Sequence, residues 1–203
     1  MDENSPTGAL SPYARTKLMF EMILRDVATT SLRVVSLRYF NPIGADPQLR
    51  TGLQIRKPTH ALGKMIDVHH AGETFAITGT DWPTRDGSGI RDYIHVWDLA
   101  DAHVKAIHQF DAVTRTDPYR VINLGTGNGT TVRELVTAFE NVTGQPLPTT
   151  ETQRRPGDAA GAYTRSALAT ELLGWKPQFA IEDGIRDSLA WYQKRDTVLA
   201  VSG

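Results

Sequence analysis

Residues Leu32–Phe40 read LRVVSLRYF and run into Asn41-Pro42. Apolar, β-branched and aromatic side chains dominate the stretch, as they do in a buried strand. A residue before proline is biased away from the helical region, so the strand is expected to stop at Asn41-Pro42. Upstream, Pro12 precedes YARTKLMFEMILRDVA, which reads as a helix with Leu18, Met22, Ile23 and Leu24 on or near one face. Downstream, ALGKMIDVHHA (61–71) is helical and Gly72 is its stop. TFAIT (74–78) is a strand, and GTDWPTRDGSGIRDY (79–93) reads as a long loop rich in Gly and Asp. VWDLADAHVKAIHQF (96–110) is a helix, YRVINL (119–124) a strand and VRELVTAFENV (132–142) a helix. QRRPGD (153–158) is a loop. SALATELLG is a helix closed by Gly174, Pro177 prevents its resuming, and IEDGIRDSLAWYQKR (181–195) is the last helix. Strands alternating with helices predict an α/β fold.

The 203 residues suffice for one good core, and a net charge of −1 gives no electrostatic reason to expect nucleic acid or an anionic membrane. No cysteine is present, which excludes disulfides, thiolate zinc sites and a thiol nucleophile and fits a reducing, cytoplasmic location. The polar start MDENSPTGAL is not a signal peptide, and no apolar run approaches the roughly 20 residues of a membrane span.

Tyr13 and Lys17 in SPYARTK (11–17) lie one turn apart on one helix face. The pairing suits acid/base chemistry. A free phenol titrates near 10, and an ammonium about 5 Å away supplies on the order of 3 kcal/mol toward the phenolate. The same spacing also occurs as a solvated surface pair. GTGNGTT (125–131) follows a strand and opens a helix, as a dinucleotide loop does, but Thr130 stands where Gly or Ala belongs and no acid follows about 20 residues on. It reads as a turn whose glycines serve backbone geometry. Arg154, Arg155 and Asp158 in RRPGD suit phosphate and vicinal hydroxyls, or a plain loop ion pair. Arg91 ends a glycine-rich loop, with local pairing to Asp92 as its plain reading. The six histidines have no metal-ligand spacing, so no metal is expected.

Taken in order, SPYARTK, LRYFNPIGA, GTDWPTRDGSGIRDYIHVWDLADAHV, VINLGTGNGTTV, RRPGD and LGWKP resemble the UDP-glucose 4-epimerase family of extended short-chain dehydrogenases/reductases. The resemblance covers the C-terminal three-fifths of that family, and DGSGIRDYIHVWDLA is its most specific stretch. It implies the end of a Rossmann-type doubly wound parallel sheet, with the N-terminal strands and main NAD loop missing, plus the smaller nucleotide-sugar-binding domain. Residues 1–45 would be the Rossmann remnant and 46–203 the nucleotide-sugar domain, with 90–110 reaching back onto the Rossmann half. Without its neighbours, Leu32–Phe40 would be an unpaired strand.

The resemblance also implies roles. Tyr13 would take the proton from the sugar 4-hydroxyl while NAD takes the hydride. Lys17 would support the phenolate and hold the nicotinamide ribose, with Phe40 beside the nicotinamide. Asn41 would meet the phosphate or hexose, and Ala76, Ile77 and Thr78 would lay backbone along the uracil. Arg91 and Arg155 would clamp the pyrophosphate and Asp158 the uridine ribose, while Ala162 would leave room at sugar C2. RKPTHALG (56–63) departs from the family pattern, so no phosphate contact is transferred to it. The expected partners are a UDP-hexose, a second copy in the complete enzyme and, for a split enzyme, a separate N-terminal half. A non-catalytic nucleotide-sugar-binding remnant and a dehydratase are the alternative readings.

Overall fold

The computed structural model describes residues 1–9, 11–155 and 157–200. Ser11 caps the first helix, α1 (Pro12–Val27), by accepting from the Ala14 amide, and Pro12 fills the first turn, where its missing N–H costs nothing. Strand β1 (Val34–Tyr39) follows. The expected stop at Asn41-Pro42 is a break of one residue only, because β2 (Asn41–Ile43) starts there. Helix α2 (Ala61–Ala71) begins at the His60 cap and ends at Gly72, at φ 68°. Strand β3 (Phe75–Thr78) comes next. The last four residues of the stretch expected to be one long loop belong to β4 (Ile90–His95), which runs directly into α3 (Val96–His108). A short helix, α4 (Phe110–Val113), precedes β5 (Tyr119–Leu124).

The GTGNGTT segment carries a short strand of its own, β6 (Gly129–Thr131), before α5 (Val132–Thr143). Thr131 and Glu134 form a reciprocal capping box there, satisfying two orphan amides at the helix start. Strands β7 (Thr149–Thr152) and β8 (Gly161–Ala162) and helices α6 (Ala167–Leu173) and α7 (Ile181–Ala200) complete the chain. No helix among the described residues is long and apolar enough to cross a membrane.

Strand β1 is not unpaired. It runs parallel to β5 over its whole length, from Val34 opposite Tyr119 to Tyr39 opposite Leu124. That corrects the expectation of a strand without a sheet: YRVINL, far along the chain, supplies one edge. β5 lies beyond residue 45, so the pairing joins the 1–45 and 46–203 segments. A second sheet is ordered β2-β4-β6, with β8 also on β4, and β3 pairs with β7.

Strand β4 separates two cores. Side chains alternate across a strand. Tyr93 faces a cluster with Leu62, Met65, Phe75, Leu135, Phe139 and Ile185. Ile94, the next residue, faces another with Leu99, Ala102, Ile122, Leu124 and Trp175, against which Val35 and Leu37 of β1 lie. Helix α3 therefore covers the parallel β1–β5 pair. Helix α1, by contrast, has no buried residue, and Phe20 and Ile23 on it are 59% and 55% exposed.

Candidate active site

The successive residues Phe40 and Asn41, at the end of β1, line two different cavities. The first, of about 350 Å³, is lined by Tyr13, Lys17, Tyr39 and Phe40, with residues 5–9 along one wall. Lys17 Nζ lies 5.5 Å from the Tyr13 ring centroid, the separation that one helical turn imposes. Tyr13 is 72% exposed. The second cavity, a cleft of about 500 Å³, is lined by Asn41, Ala76, Thr78, Arg91, Arg155 and Asp158. The Phe40–Asn41 peptide is the partition, since Phe40 lines one space and Asn41 the other.

Each cleft residue is placed by its element. In β3, Phe75 and Ile77 are buried while Ala76 is exposed toward the cleft and Thr78 follows at its edge. The Ile77 side chain is thus a core residue. Arg91 and Tyr93 share one face of β4 and both line the cleft. The Arg91 guanidinium donates through Nη1 to the carbonyls of Ile90 (2.7 Å) and Ala160 (2.9 Å), and through Nη2 to Ala159 (3.3 Å). It thereby holds the segment that carries Arg155 and Asp158. The close approach of β8 needs Gly161: at φ 113°, a Cβ there would lie 1.7 Å from the Ile90 carbonyl oxygen. Arg155 and Asp158 face each other across a turn, where the Asp158 amide donates to the Arg155 carbonyl at 3.1 Å. Pro156, the centre of the expected Pro-Gly turn, lies outside the described residues.

Ala162 pairs with Arg91 in the β4–β8 register but does not line the cleft. Neighbouring Tyr163 lies instead against Gly129, where an added Cβ would come 2.5 Å from its ring. Burial pushes the Tyr93 phenol up to about 12. It stays neutral at physiological pH and offers the cleft only a hydrogen-bonding group.

Asp92, on the opposite face of β4, is fully buried. It does not pair with Arg91. It accepts from the Thr126 amide (2.8 Å), the Thr126 hydroxyl (2.7 Å), the Gly127 amide (3.3 Å) and the Thr164 amide (3.2 Å). Two amides of the glycine-rich loop are therefore spent on a carboxylate of the chain itself. His60 caps α2, His70 and His103 bond backbone carbonyls one turn back, and His95 meets Asp187 at 3.2 Å. No group of three metal-ligating side chains occurs among the described residues.

The description "NAD dependent epimerase/dehydratase family" fits residues 1–125, more than half of the chain. The chain belongs to that family. Among similar family members, the UDP-glucose 4-epimerase of Bacillus subtilis is 44% identical over 193 residues, which cover 93% of this chain and 56% of the relative. UDP-glucose 4-epimerase 2 of Arabidopsis thaliana is 42% identical, over 93% and 55%. The chain thus spans just over half the length of these relatives. The crystal structure of the Bifidobacterium longum UDP-glucose 4-epimerase in complex with NAD+ and UDP is 38% identical, with a TM-score of 0.87 over 98% of this chain and 59% of that one. The Stenotrophomonas maltophila enzyme, with bound NAD and formylated UDP-arabinopyranose, has a TM-score of 0.88.

Lys64, Trp82, Tyr93 and Thr59 also line the cleft and carry no motif in the sequence, and His60, one of the six histidines without metal-ligand spacing, lines it too. Lys64 carries a signal in retrospect: it is a cation among the buried residues Leu62, Gly63, Met65 and Ile66.

Proposed function

We propose that this chain carries the acid/base pair and the nucleotide-sugar cleft of a UDP-hexose 4-epimerase, an isomerase. The observation that carries the reading is the partition at Phe40–Asn41. Tyr13 and Lys17 stand on one side of it, and Arg91, Arg155 and Asp158 on the other. A sugar nucleotide lying in the cleft would present its hexose at the partition. The relatives' names support the activity, and the NAD and UDP named with the solved structures support the ligands.

In this reading Arg91 and Arg155 hold the diphosphate, Asp158 accepts from the ribose hydroxyls, and β3 backbone at Ala76 and Thr78 borders the base. The Tyr13 phenolate accepts the proton of the sugar 4-hydroxyl and later returns it, and the Lys17 ammonium stabilises that phenolate. Residues that fit the nicotinamide end of NAD are present at Tyr13, Lys17 and Phe40. Among the described residues the glycine-rich loop does not fit the dinucleotide phosphates, because Asp92 occupies its amides. When bound, NAD supplies a reversible hydride acceptor for the sugar C4. The two-part organisation, 1–45 and 46–203, belongs to this proposal, as does assembly with a second copy or with a separate N-terminal portion.

The test is to purify the 203-residue chain and measure three things. These are UDP and UDP-glucose binding, NAD released on acid denaturation, and interconversion of UDP-glucose and UDP-galactose. UDP binding without NAD or turnover is the expected result. Failure to bind UDP would overturn the cleft assignment. Stoichiometric NAD would overturn the reading of the glycine-rich loop.

A further inference from the structure

We propose that Lys64 is a third cation for the nucleotide diphosphate, a contact made from α2 across the cleft from Arg91 and Arg155. The inference rests on the nucleotide-sugar reading above. The charged groups lining the cleft, apart from His60, are Lys64, Arg91 and Arg155 against the single carboxylate of Asp158. The surplus of two positive charges matches a diphosphate, each phosphate of which carries a negative charge.

The two arginines are not equally available. Arg91 commits Nη1 and Nη2 to backbone carbonyls at 159 and 160, so it holds the loop as well as facing the ligand. Among the described residues the Lys64 side chain has no such commitment. Lys64 takes part in none of the ion pairs among the described residues. Asp67, one turn on, lines a third cavity, shared with Gly44, Trp97 and Trp191, and not the cleft. Lys64 is half-buried on α2, whose residues Leu62, Gly63, Met65 and Ile66 are buried. A cleft lined by three cations and one carboxylate favours an anionic ligand.

The experiment titrates the 203-residue chain with UDP, UDP-glucose and uridine, by calorimetry or by the fluorescence of Trp82, which lines the same cleft. Lys64→Met keeps the stem and removes the charge. It should weaken UDP and UDP-glucose equally, by about tenfold, and leave uridine within about twofold. The dependence of UDP affinity on salt should become shallower by about one ion. Lys64→Arg should retain most of the affinity. Unchanged UDP binding in Lys64→Met would overturn the assignment. So would an equal loss for uridine, which would place Lys64 on the base, or a loss confined to UDP-glucose, which would place it on the hexose. If the unaltered chain binds no UDP, the cleft reading itself falls and this inference with it.

Discussion

Replacing Tyr13 by Phe, in a chain completed with the NAD-binding portion of a relative, should lower epimerase turnover by about 10²–10⁴-fold and leave UDP affinity within about twofold. The two cavities explain the split. Tyr13 lines the space on the Phe40 side of the partition, whereas Arg91, Arg155 and Asp158 line the cleft on the Asn41 side. Removing the phenolic oxygen deletes the group proposed to move the proton and touches none of the groups proposed to hold the nucleotide. The decisive measurement is kcat beside the dissociation constant for UDP. Parallel losses in both would place the phenol on the ground-state ligand and remove its acid/base role.

The second large effect is structural. Asp92→Ala should destabilise the fold by about 3–6 kcal/mol, because three backbone amides and a hydroxyl lose their acceptor in a buried place and each unsatisfied group costs about 1–3 kcal/mol. Set against a total stability of about 5–15 kcal/mol, that leaves the variant marginal. Asp92→Asn keeps an acceptor for Thr126 but turns an amide toward other donors, so it should lie between. Urea unfolding of the three proteins checks the order. A cost below about 1 kcal/mol for the alanine variant would mean that the glycine-rich loop holds its shape without Asp92. The loop could then offer those amides to another anion.

The same carboxylate shows what the sequence could and could not convey. Helices were legible because their ends are written locally: Pro12, Gly72 and Gly174 mark boundaries that the structure keeps. Strands β4 and β7 were not. IRDYIH places charges beside apolar residues, since Arg91 lines a cleft while Asp92 satisfies a turn more than thirty residues away. TTET in β7 is exposed throughout and has no apolar alternation to reveal it. The partner of β1 was invisible for a different reason. Val34 and Tyr119 are about 85 residues apart, and nothing within either segment names the other. At the site, Tyr13 and Lys17 stood out by their spacing and Arg91, Arg155 and Asp158 by their loops, and only resemblance to a family joined them into one site. Lys64 and Trp82 stayed hidden because their meaning lies in what faces them across the cleft.

That distant pairing also bears on how the chain reaches its native state. Closing a loop of about 85 residues costs roughly 4 kcal/mol of chain entropy before one ladder bond forms. The cost is recovered only when Val35 and Leu37 meet Ile122, Leu124 and Trp175. The topology has high contact order, which predicts folding on the slow side for a domain of this size. During synthesis the apolar run at Leu32–Phe40 emerges long before YRVINL does. For that interval the nascent chain displays a strand without its partner, the kind of segment that chaperones bind and that other copies can capture.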